Sequence, residues 1–245
     1  MKSKPISFII LLLFCAGLNP EVFAQDGTEL LKKMDGVIFA PKDKQAVVQI
    51  ITYKNSKEEK VKEAQLLQKG IDKKIYRYTK PESDAGIATL SLPGDIMWMK
   101  MPAFDKPKKI SLLAKSQAFN NTDFAWEDIP NEPYSERYDA KFIEATDTSY
   151  SVEMDPKNKK SNYSKLIVFI LKSNYCPYIM DYYDNSGKMV KEETFTYQKT
   201  GKYWNASRVT MTDLKKRTST RITMTDVKFD QDLPDKLFTE DEFWK

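Results

Sequence analysis

The sequence predicts a mainly β protein built on one antiparallel sheet of the meander type. From residue 46 onward, apolar and polar residues alternate with a period of two, which is the spacing of half-buried strands. Turn sequences such as Pro-Gly-Asp at 93–95 and Asp-Asn-Ser-Gly at 184–187 separate these runs. Helical segments do not alternate with the strands, so consecutive strands are expected to pair directly with one another.

A short helix is predicted first, over residues 28–34. Leu30, Leu31 and Met34 share one helical face there, and Thr28 is a candidate N-cap. One further helix in the middle of the chain and a turn or two at 237–244 complete the helical content. The predicted strands are 46–54, 61–68, 74–79, 86–92, 96–101, 138–145, 150–154, 166–171, 178–183, 189–197, 203–214 and 218–229.

Two of these strands indicate that the sheet has one apolar and one polar face. Phe195 and Tyr197 alternate with Glu192, Thr194 and Thr196, and a second strand places Thr220, Ile222 and Met224 on one side. Too little helix is predicted to cover a dozen strands. We therefore expect the sheet to curl around an apolar cavity.

Composition excludes several classes of function. The chain of 245 residues contains no histidine, which removes Ser-His-Asp and Cys-His catalysis and most zinc sites. Its 8 glycines form no phosphate-binding motif. The formal net charge of +4 comes from interspersed lysines and acids, without the basic face of a nucleic-acid-binding protein. We expect no catalytic residue, no metal, no cofactor and no nucleic-acid partner.

The N-terminus has the pattern of a secretory signal peptide. Lys2 and Lys4 precede an apolar run at 6–13, which is too short for a stable membrane-spanning helix, and Ala24 ends a cleavage-site pattern. We predict a signal peptide over 1–24, cleaved after Ala24, and one exported domain over 25–245.

Neither cysteine is predicted to be reactive. Phe14 before Cys15 departs from the small residue that a lipidation motif requires, and Cys15 lies within the apolar run. Cleavage leaves Cys176 as the only thiol, and we expect it to fill space in the core.

The stretch from 76 to 129 carries the strongest functional pattern. Met97, Met99 and Met101 alternate along one strand, as in a wall that adapts to acyl chains, although methionine also fills irregular cores. Aromatic residues at 119, 124 and 126 are expected on a flap over the sheet. Asp123 and Glu127 at helical spacing are interpreted as capping and solvated residues rather than a metal or glycosidase pair.

The order of several segments resembles the outer-membrane lipoprotein-sorting (LolA-like) superfamily, in its branch of lipoprotein-sorting-like and uncharacterised periplasmic proteins. No segment is diagnostic alone, but together they cover nearly the whole mature chain. The segments are 76–82, Gly86, 90–92, 97–102, 122–128, 163–166, 177–184, 187–188, 204–211, 226–229 and 238–239.

The resemblance implies an incomplete antiparallel β-barrel of the LolA/LolB type, with a few short helices forming a lid over an apolar cavity. It also implies a monomeric, non-enzymatic carrier in the periplasm. Its partners would be lipid or lipoprotein acyl chains, an inner-membrane exporter and an outer-membrane acceptor. The superfamily's arginine-proline pair at the cavity mouth matches Lys80-Pro81, where lysine lacks the planar fork of donors that arginine supplies.

Three alternatives remain open beside the carrier, one of them a structural surface protein, which an empty or solidly filled barrel would favour. The same fold could serve as a lipid-occupancy sensor or an exporter-associated lipid-binding protein. A lipid hydrolase would use Ser91 or Ser116, but no histidine is present to activate either hydroxyl. The residues predicted to line the cavity are Leu90, Leu92, Met97, Met99, Met101, Phe119, Phe124, Trp126, Met180, Met211, Ile222 and Met224, with Lys80 and Pro81 at its mouth.

Overall fold

Antiparallel strands make up most of the chain that the computed structural model describes, which comprises residues 26–94, 96–110 and 119–245. Two helices are present in these ranges, α1 (Gly27–Ile38) and α2 (Tyr134–Arg137), with short 3-10 turns at Phe119–Asn121, Trp126–Asp128 and Asp235–Phe238. The strands are β1 (Asp43–Lys54), β2 (Lys57–Lys69), β3 (Lys73–Lys80), β4 (Ala88–Leu92), β5 (Ile96–Lys100), β6 (Lys108–Lys109), β7 (Tyr138–Ala145), β8 (Ser149–Pro156), β9 (Tyr163–Leu171), β10 (Pro177–Asp184), β11 (Met189–Thr200), β12 (Tyr203–Asp213) and β13 (Thr218–Phe229).

All thirteen strands belong to one sheet, in the order β6-β5-β4-β3-β2-β1-β13-β12-β11-β10-β9-β8-β7. Strands adjacent in sequence pair with one another, except for β6 and β7, and the pairing of β1 with β13 joins the two meanders. Within the described ranges β6 and β7 are the free edges, so the barrel is incomplete. The predicted fold class is confirmed, and only the two-residue strand β6 lacked a counterpart among the predicted strands. The predicted signal peptide lies outside the described residues.

Helix α1 is longer than predicted and has a different N-cap. The Asp26 carboxylate accepts the Thr28 backbone N–H at 2.8 Å, so Asp26 rather than Thr28 caps the helix. Leu30, Leu31 and Met34 are buried, as their spacing predicted, and belong to the main core cluster. The helix contacts α2, β7, β8 and β12.

The strand register defines the face of the sheet that carries this core. Ile50 on β1 pairs with Ile222 on β13, which pairs with Val209 on β12, which pairs with Phe195 on β11. We call the face that bears this row the inner face. The predicted alternation of residues 195–197 and 220–224 is confirmed, since their apolar members lie on it.

The outer face of β3 to β5 is also buried. Ile75, Leu90, Leu233, Phe238 and Phe243 form a separate cluster, in which the C-terminal segment covers the strands. The Arg77 guanidinium anchors that segment through a 2.8 Å hydrogen bond from Nε to the Phe243 carbonyl. These strands are therefore covered on both sides.

Cys176 is completely buried, as predicted, and burial raises the pKa of its thiol to about 11.

In the part of the chain that the structure describes, neither helix has the length and apolar composition needed to cross a bilayer.

The close approach of α1 to β7 generates a prediction about Gly27. A Cβ atom at Gly27 would lie 2.9 Å from the Phe142 backbone nitrogen. Gly27→Ala must push the helix away from the strand, and we expect a loss of about 1–3 kcal/mol in the free energy of unfolding, measured by urea denaturation.

Gly36 in the same helix provides the matched control, because a Cβ there meets nothing within 4 Å. Gly36→Ala should raise stability by about 0.5–1 kcal/mol through helix propensity. Equal effects of the two substitutions would contradict the close packing of α1 on β7.

Candidate functional site

A pocket of about 190 Å³ lies against the inner face, at the end of the sheet where β1 and β3 begin and β2 ends. Its sheet-side wall is made by apolar residues of β2, β3, β11, β12 and β13: Leu66, Tyr76, Phe195, Val209, Ile222 and Met224. The opposite wall is made by Phe39 after α1, by Tyr134 of α2 and by residues between 119 and 130. Aromatic and aliphatic side chains thus face each other across the pocket.

Residues 119–130 form what we call the cover segment. It closes on itself, because the Phe119 N–H donates to the Phe124 carbonyl at 2.7 Å. The Phe119 ring packs edge-on against Trp126, with centroids 4.5 Å apart, and against Tyr76 on the sheet at 5.4 Å. The expected aromatic flap is therefore present as two 3-10 turns rather than one short helix.

Asp123 ties the cover segment to β13. Its Oδ2 accepts the Thr220 hydroxyl at 2.7 Å, its Oδ1 accepts the Thr218 hydroxyl, and its backbone N–H donates to Thr220 Oγ1 at 2.9 Å. The residue is buried. The interpretation of Asp123 as a solvated helix-capping residue is wrong, because two threonines on the inner face satisfy its carboxylate.

Asp128 forms a second tether, to β9 and β11. Its Oδ1 accepts the Tyr163 hydroxyl at 2.8 Å, and its Oδ2 accepts the Lys191 ammonium at 2.8 Å and the Ala125 N–H at 2.7 Å. Both charged side chains are largely withdrawn from solvent, with 0% of Asp128 and 12% of Lys191 exposed. Glu127 points elsewhere and accepts the Asn162 amide at 2.8 Å, so Asp123 and Glu127 form no carboxylate pair.

Two lysines also line the pocket, at the outer ends of β1 and β3. The register places Lys44 opposite Gln68, and Gln68 opposite Lys74, in one inner-face row. Burial lowers the pKa of Lys44 to about 8. Burial, and then the charge of Lys44, lower the pKa of Lys74 to about 7.

The Lys74 ammonium is hydrogen-bonded only to neutral groups among the contacts seen in the described ranges. It donates to the Ile71 carbonyl at 2.6 Å and to the Pro130 carbonyl. Ser91, a candidate nucleophile, lies directly opposite Lys74 in the register of β3 and β4. The ammonium nevertheless points to the carbonyls, and Ser116 lies outside the described residues.

Glu193 of β11 is a buried acid of the sheet-side wall. Its carboxyl group is hydrogen-bonded to the Tyr182 hydroxyl at 2.6 Å. Burial raises the pKa of Glu193 to about 8, so the group carries little charge at neutral pH. No cluster of acidic and cysteine side chains within the described ranges is arranged to hold a metal ion.

The structure brings four of the twelve predicted cavity residues to this pocket: Phe119, Phe124, Ile222 and Met224. Met180 and Met211 are fully buried in the main core, and Trp126 packs against the same cluster. The placement of the remaining five differs from the expectation. Leu90 and Leu92 lie opposite Ile75 and Ile96 on the outer face, under the C-terminal segment.

The methionines of β5 share the inner side of the sheet but do not border the pocket. Met99 pairs with Thr89, and Met97 pairs with Ser91, which places them on the same face as Tyr76 and Lys74. Met97 is buried, whereas Met101 is exposed. The pocket walls come from strands nearer the middle of the sheet.

Lys80 and Pro81 lie away from the pocket as well. Lys80 ends β3, six residues and so about 20 Å of strand from Lys74. Its exposed ammonium forms an ion pair with Glu63 at 3.1 Å. The structure therefore places this pair at the opposite end of the strand from the pocket.

Sequence reasoning missed Lys44, Lys74 and Glu193 as pocket residues. All three occupy inner-face positions of strands, where a polar residue interrupts the apolar alternation. Lys44 and Lys74 stand near strand ends, where a lysine is ordinarily solvated, so their positions in the sequence did not indicate that they line a pocket. Phe195 was correctly placed on the apolar face, but nothing local indicated which part of that face borders a pocket.

A curled antiparallel sheet with short helices and a cover segment on its inner face defines the LolA-like fold. A structure from Vibrio parahaemolyticus described as an outer membrane lipoprotein-sorting protein domain is 26% identical, with a TM-score of 0.81 over 89% of this chain and 98% of that one. A LolA superfamily protein from Nitrosomonas europaea is 28% identical, with a TM-score of 0.73 over 89% and 99%. A DUF1329 family protein from Desulfovibrio piger shares the fold at 22% identity, with a TM-score of 0.79 over 89% and 99%.

A family model described as an uncharacterized protein matches residues 70–244. The chain belongs to this family, and through its fold to the LolA-like superfamily, as the sequence resemblance predicted. Comparison with curated proteins gives no match.

The Asp128 tether yields a stability prediction. Asp128→Asn leaves the buried Lys191 ammonium without its carboxylate, so we expect a loss of about 3 kcal/mol in the free energy of unfolding. Chemical denaturation measures it. Asp139→Asn is the control, because Asp139 is an exposed acid 4.0 Å from Lys157 and should change stability by less than about 0.5 kcal/mol. A similarly small change for Asp128→Asn would refute the tether.

The raised pKa of Glu193 predicts a pH dependence. The unfolded carboxyl ionises near 4.5, whereas the folded one stays protonated up to about 8. Folded protein thus binds more protons across this window, and wild-type stability falls as pH rises through it. The free energy of unfolding of Glu193→Gln should match that of the wild type near pH 4 and exceed it by pH 8, because the glutamine has no proton to lose on unfolding. Each pKa unit of difference between the folded and unfolded carboxyl corresponds to about 1.4 kcal/mol.

Urea denaturation at several pH values tests this dependence. Glu192→Gln, one residue away on the other face of β11, is the control and should follow the wild-type curve. Parallel curves for wild type and Glu193→Gln would show that Glu193 is ionised in the folded protein.

Proposed function

We propose that this protein is a non-enzymatic periplasmic carrier that buries an acyl chain of a lipid or lipoprotein in the pocket. In this proposal the exported domain receives its cargo from an inner-membrane exporter and releases it toward the outer membrane, acting as a monomer. The observation that supports it is the pocket between the inner face and the cover segment, with aromatic and aliphatic side chains on both walls. The description of the similar structure from Vibrio parahaemolyticus as a lipoprotein-sorting domain agrees with this role.

The lining of the pocket suits a flexible apolar chain, and its size admits part of one. Its volume of about 190 Å³ exceeds that of an engineered apolar cavity of about 150 Å³ that binds benzene. Each buried methylene contributes about 0.8 kcal/mol. A single chain therefore binds usefully but reversibly, as a carrier requires.

The cover segment explains how burial and release are compatible. Polar contacts hold its backbone, among them those of Asp123 and Asp128, whereas the rings of Phe119 and Phe124 contact the pocket through apolar packing. Ring contacts are non-directional and re-form on an acyl chain without loss of hydrogen bonds. An acceptor needs only to offer the chain somewhat more apolar burial than the pocket does.

Filling the pocket should abolish cargo binding. Ile222 lies on the sheet-side wall, and Ile222→Trp places a larger ring in the space that the chain would occupy. Mass spectrometry of the organic extract of the purified native protein should detect acyl lipid with wild type and at least about tenfold less with Ile222→Trp, the equivalent of about 1.4 kcal/mol.

The adjacent residue supplies the matched control. Thr223 belongs to the same strand but to its other face, so Thr223→Trp should retain the bound lipid. Equal lipid content in the two variants would show that the pocket is not the binding site. Transfer of the extracted lipid class to acceptor vesicles then separates a carrier, which releases its cargo, from an occupancy sensor, which retains it.

A further inference from the structure

We infer that the cargo of this pocket carries an anionic head, and that the ammonium groups of Lys44 and Lys74 receive it. The ligand class is a single-chain amphiphile ending in a carboxylate or a phosphate monoester. This inference rests on the proposed function, because it assigns the head of the molecule whose tail the pocket would bury.

Neither lysine side chain has an anionic partner among the described residues. The Lys44 ammonium forms no hydrogen bond or ion pair with them, and the Lys74 ammonium donates only to the carbonyls of Ile71 and Pro130. Buried ammonium groups are normally paired, because leaving water costs them free energy that an opposite charge must offset. Burial lowers the pKa of both lysines, as expected for ammonium groups withdrawn from water.

The acids around the pocket are already engaged. Asp43 accepts the backbone N–H groups of Gln231 at 2.7 Å and Leu233 at 2.9 Å, which holds the start of the C-terminal segment. Asp128 is paired with Lys191, and Glu193 is largely protonated at neutral pH. The charge of Asp72 raises the pKa of Lys74, but Asp72 forms no ion pair with the Lys74 ammonium within 4.0 Å. The pKa of Lys74 remains lowered, to about 7.

A further cation adds to the positive field. Arg137 lowers the pKa of Lys74, and its guanidinium donates to the Glu127 backbone carbonyl at 2.9 Å rather than to a carboxylate. Lys44 and Arg137, together with Lys74 in its protonated form, therefore surround this end of the pocket, and none of the described acids forms an ion pair with Lys44 or Lys74.

The positions of the cations fit an amphiphile that enters by its tail. Lys44 and Lys74 stand near the ends of β1 and β3. Along the inner face they lie one step, or two residues of strand, closer to the end of the sheet than the row that contains Leu66 and Tyr76. That step is about 6.6 Å along a strand. Beyond it the lining is apolar, with Phe119, Ile222 and Met224 facing the pocket. A head held by the lysines would direct its chain onto this lining.

The test compares a charged and an uncharged ligand of identical chain. Parinaric acid is a fluorescent fatty acid, and its methyl ester lacks only the charge. Fluorescence titration of the purified protein should give about tenfold tighter binding of the acid, the equivalent of one charge-assisted contact. Lys44→Met combined with Lys74→Met removes both ammonium groups and should bind the acid no more tightly than the ester, whereas a persisting preference for the acid would overturn the inference. Far-UV circular dichroism shows whether this variant is folded. Lys54→Met, at the exposed far end of β1, should behave as wild type.

The possible results separate the two proposals. Equal binding of acid and ester by wild type would overturn the anionic head and leave the acyl-chain carrier standing. Binding of neither would overturn the carrier, and the inference with it. Displacement of bound ester by a lysophosphatidic acid or by a fatty acid of the same length then identifies the head, and a preference for either one supports the inference.

Discussion

The structure depends on covering one continuous apolar face of a very wide sheet. The inner face runs without a break from β1 through β13 and on to β7, and its burial is the main favourable contribution to folding. Helix α1 covers only part of it, over β7, β8 and β12. The cover segment must therefore lie over the part nearer β13 and β3. The pocket is the space that remains between the end of α1, the cover segment and the strands.

Polar tethers decide how close the cover segment lies to the sheet. Apolar packing is non-directional, so by itself it fixes neither the distance of the segment from the sheet nor its position along the strands. Hydrogen bonds to charged groups are short and oriented, and they fix both. Asp123 reaches the threonines of β13, and Asp128 reaches Tyr163 and Lys191. Each buried carboxylate has several donors, so its desolvation is offset. The segment is thus held to the sheet by oriented polar contacts, while its aromatic rings face the pocket.

Much of the fold could be predicted from the sequence, because strand period and turn residues are local properties. The strands, their antiparallel pairing and the inner-face residues of β11 and β13 followed from alternation. Alternation failed where a strand is buried on both faces, and this is why Leu90 was assigned to the wrong side. The partners of Asp123 lie about a hundred residues further along the chain. No local pattern indicates such contacts, nor which part of a curved face borders a pocket.

Two lysines on the inner face differ in their electrostatic partners, and this difference bears on the role of each. Lys191 meets the Asp128 carboxylate at 2.8 Å and joins β11 to the cover segment. Lys44 lies in the same sheet, lines the pocket and meets no described anion. A buried pair can be kept for structure, but an unpaired cation withdrawn from water lowers the stability of the protein. An unpaired lysine on an otherwise apolar face departs from the local pattern, and such departures are expected at binding sites. In the proposed function, the difference between the two lysines separates the part of the inner face that builds the fold from the part that would bind a ligand.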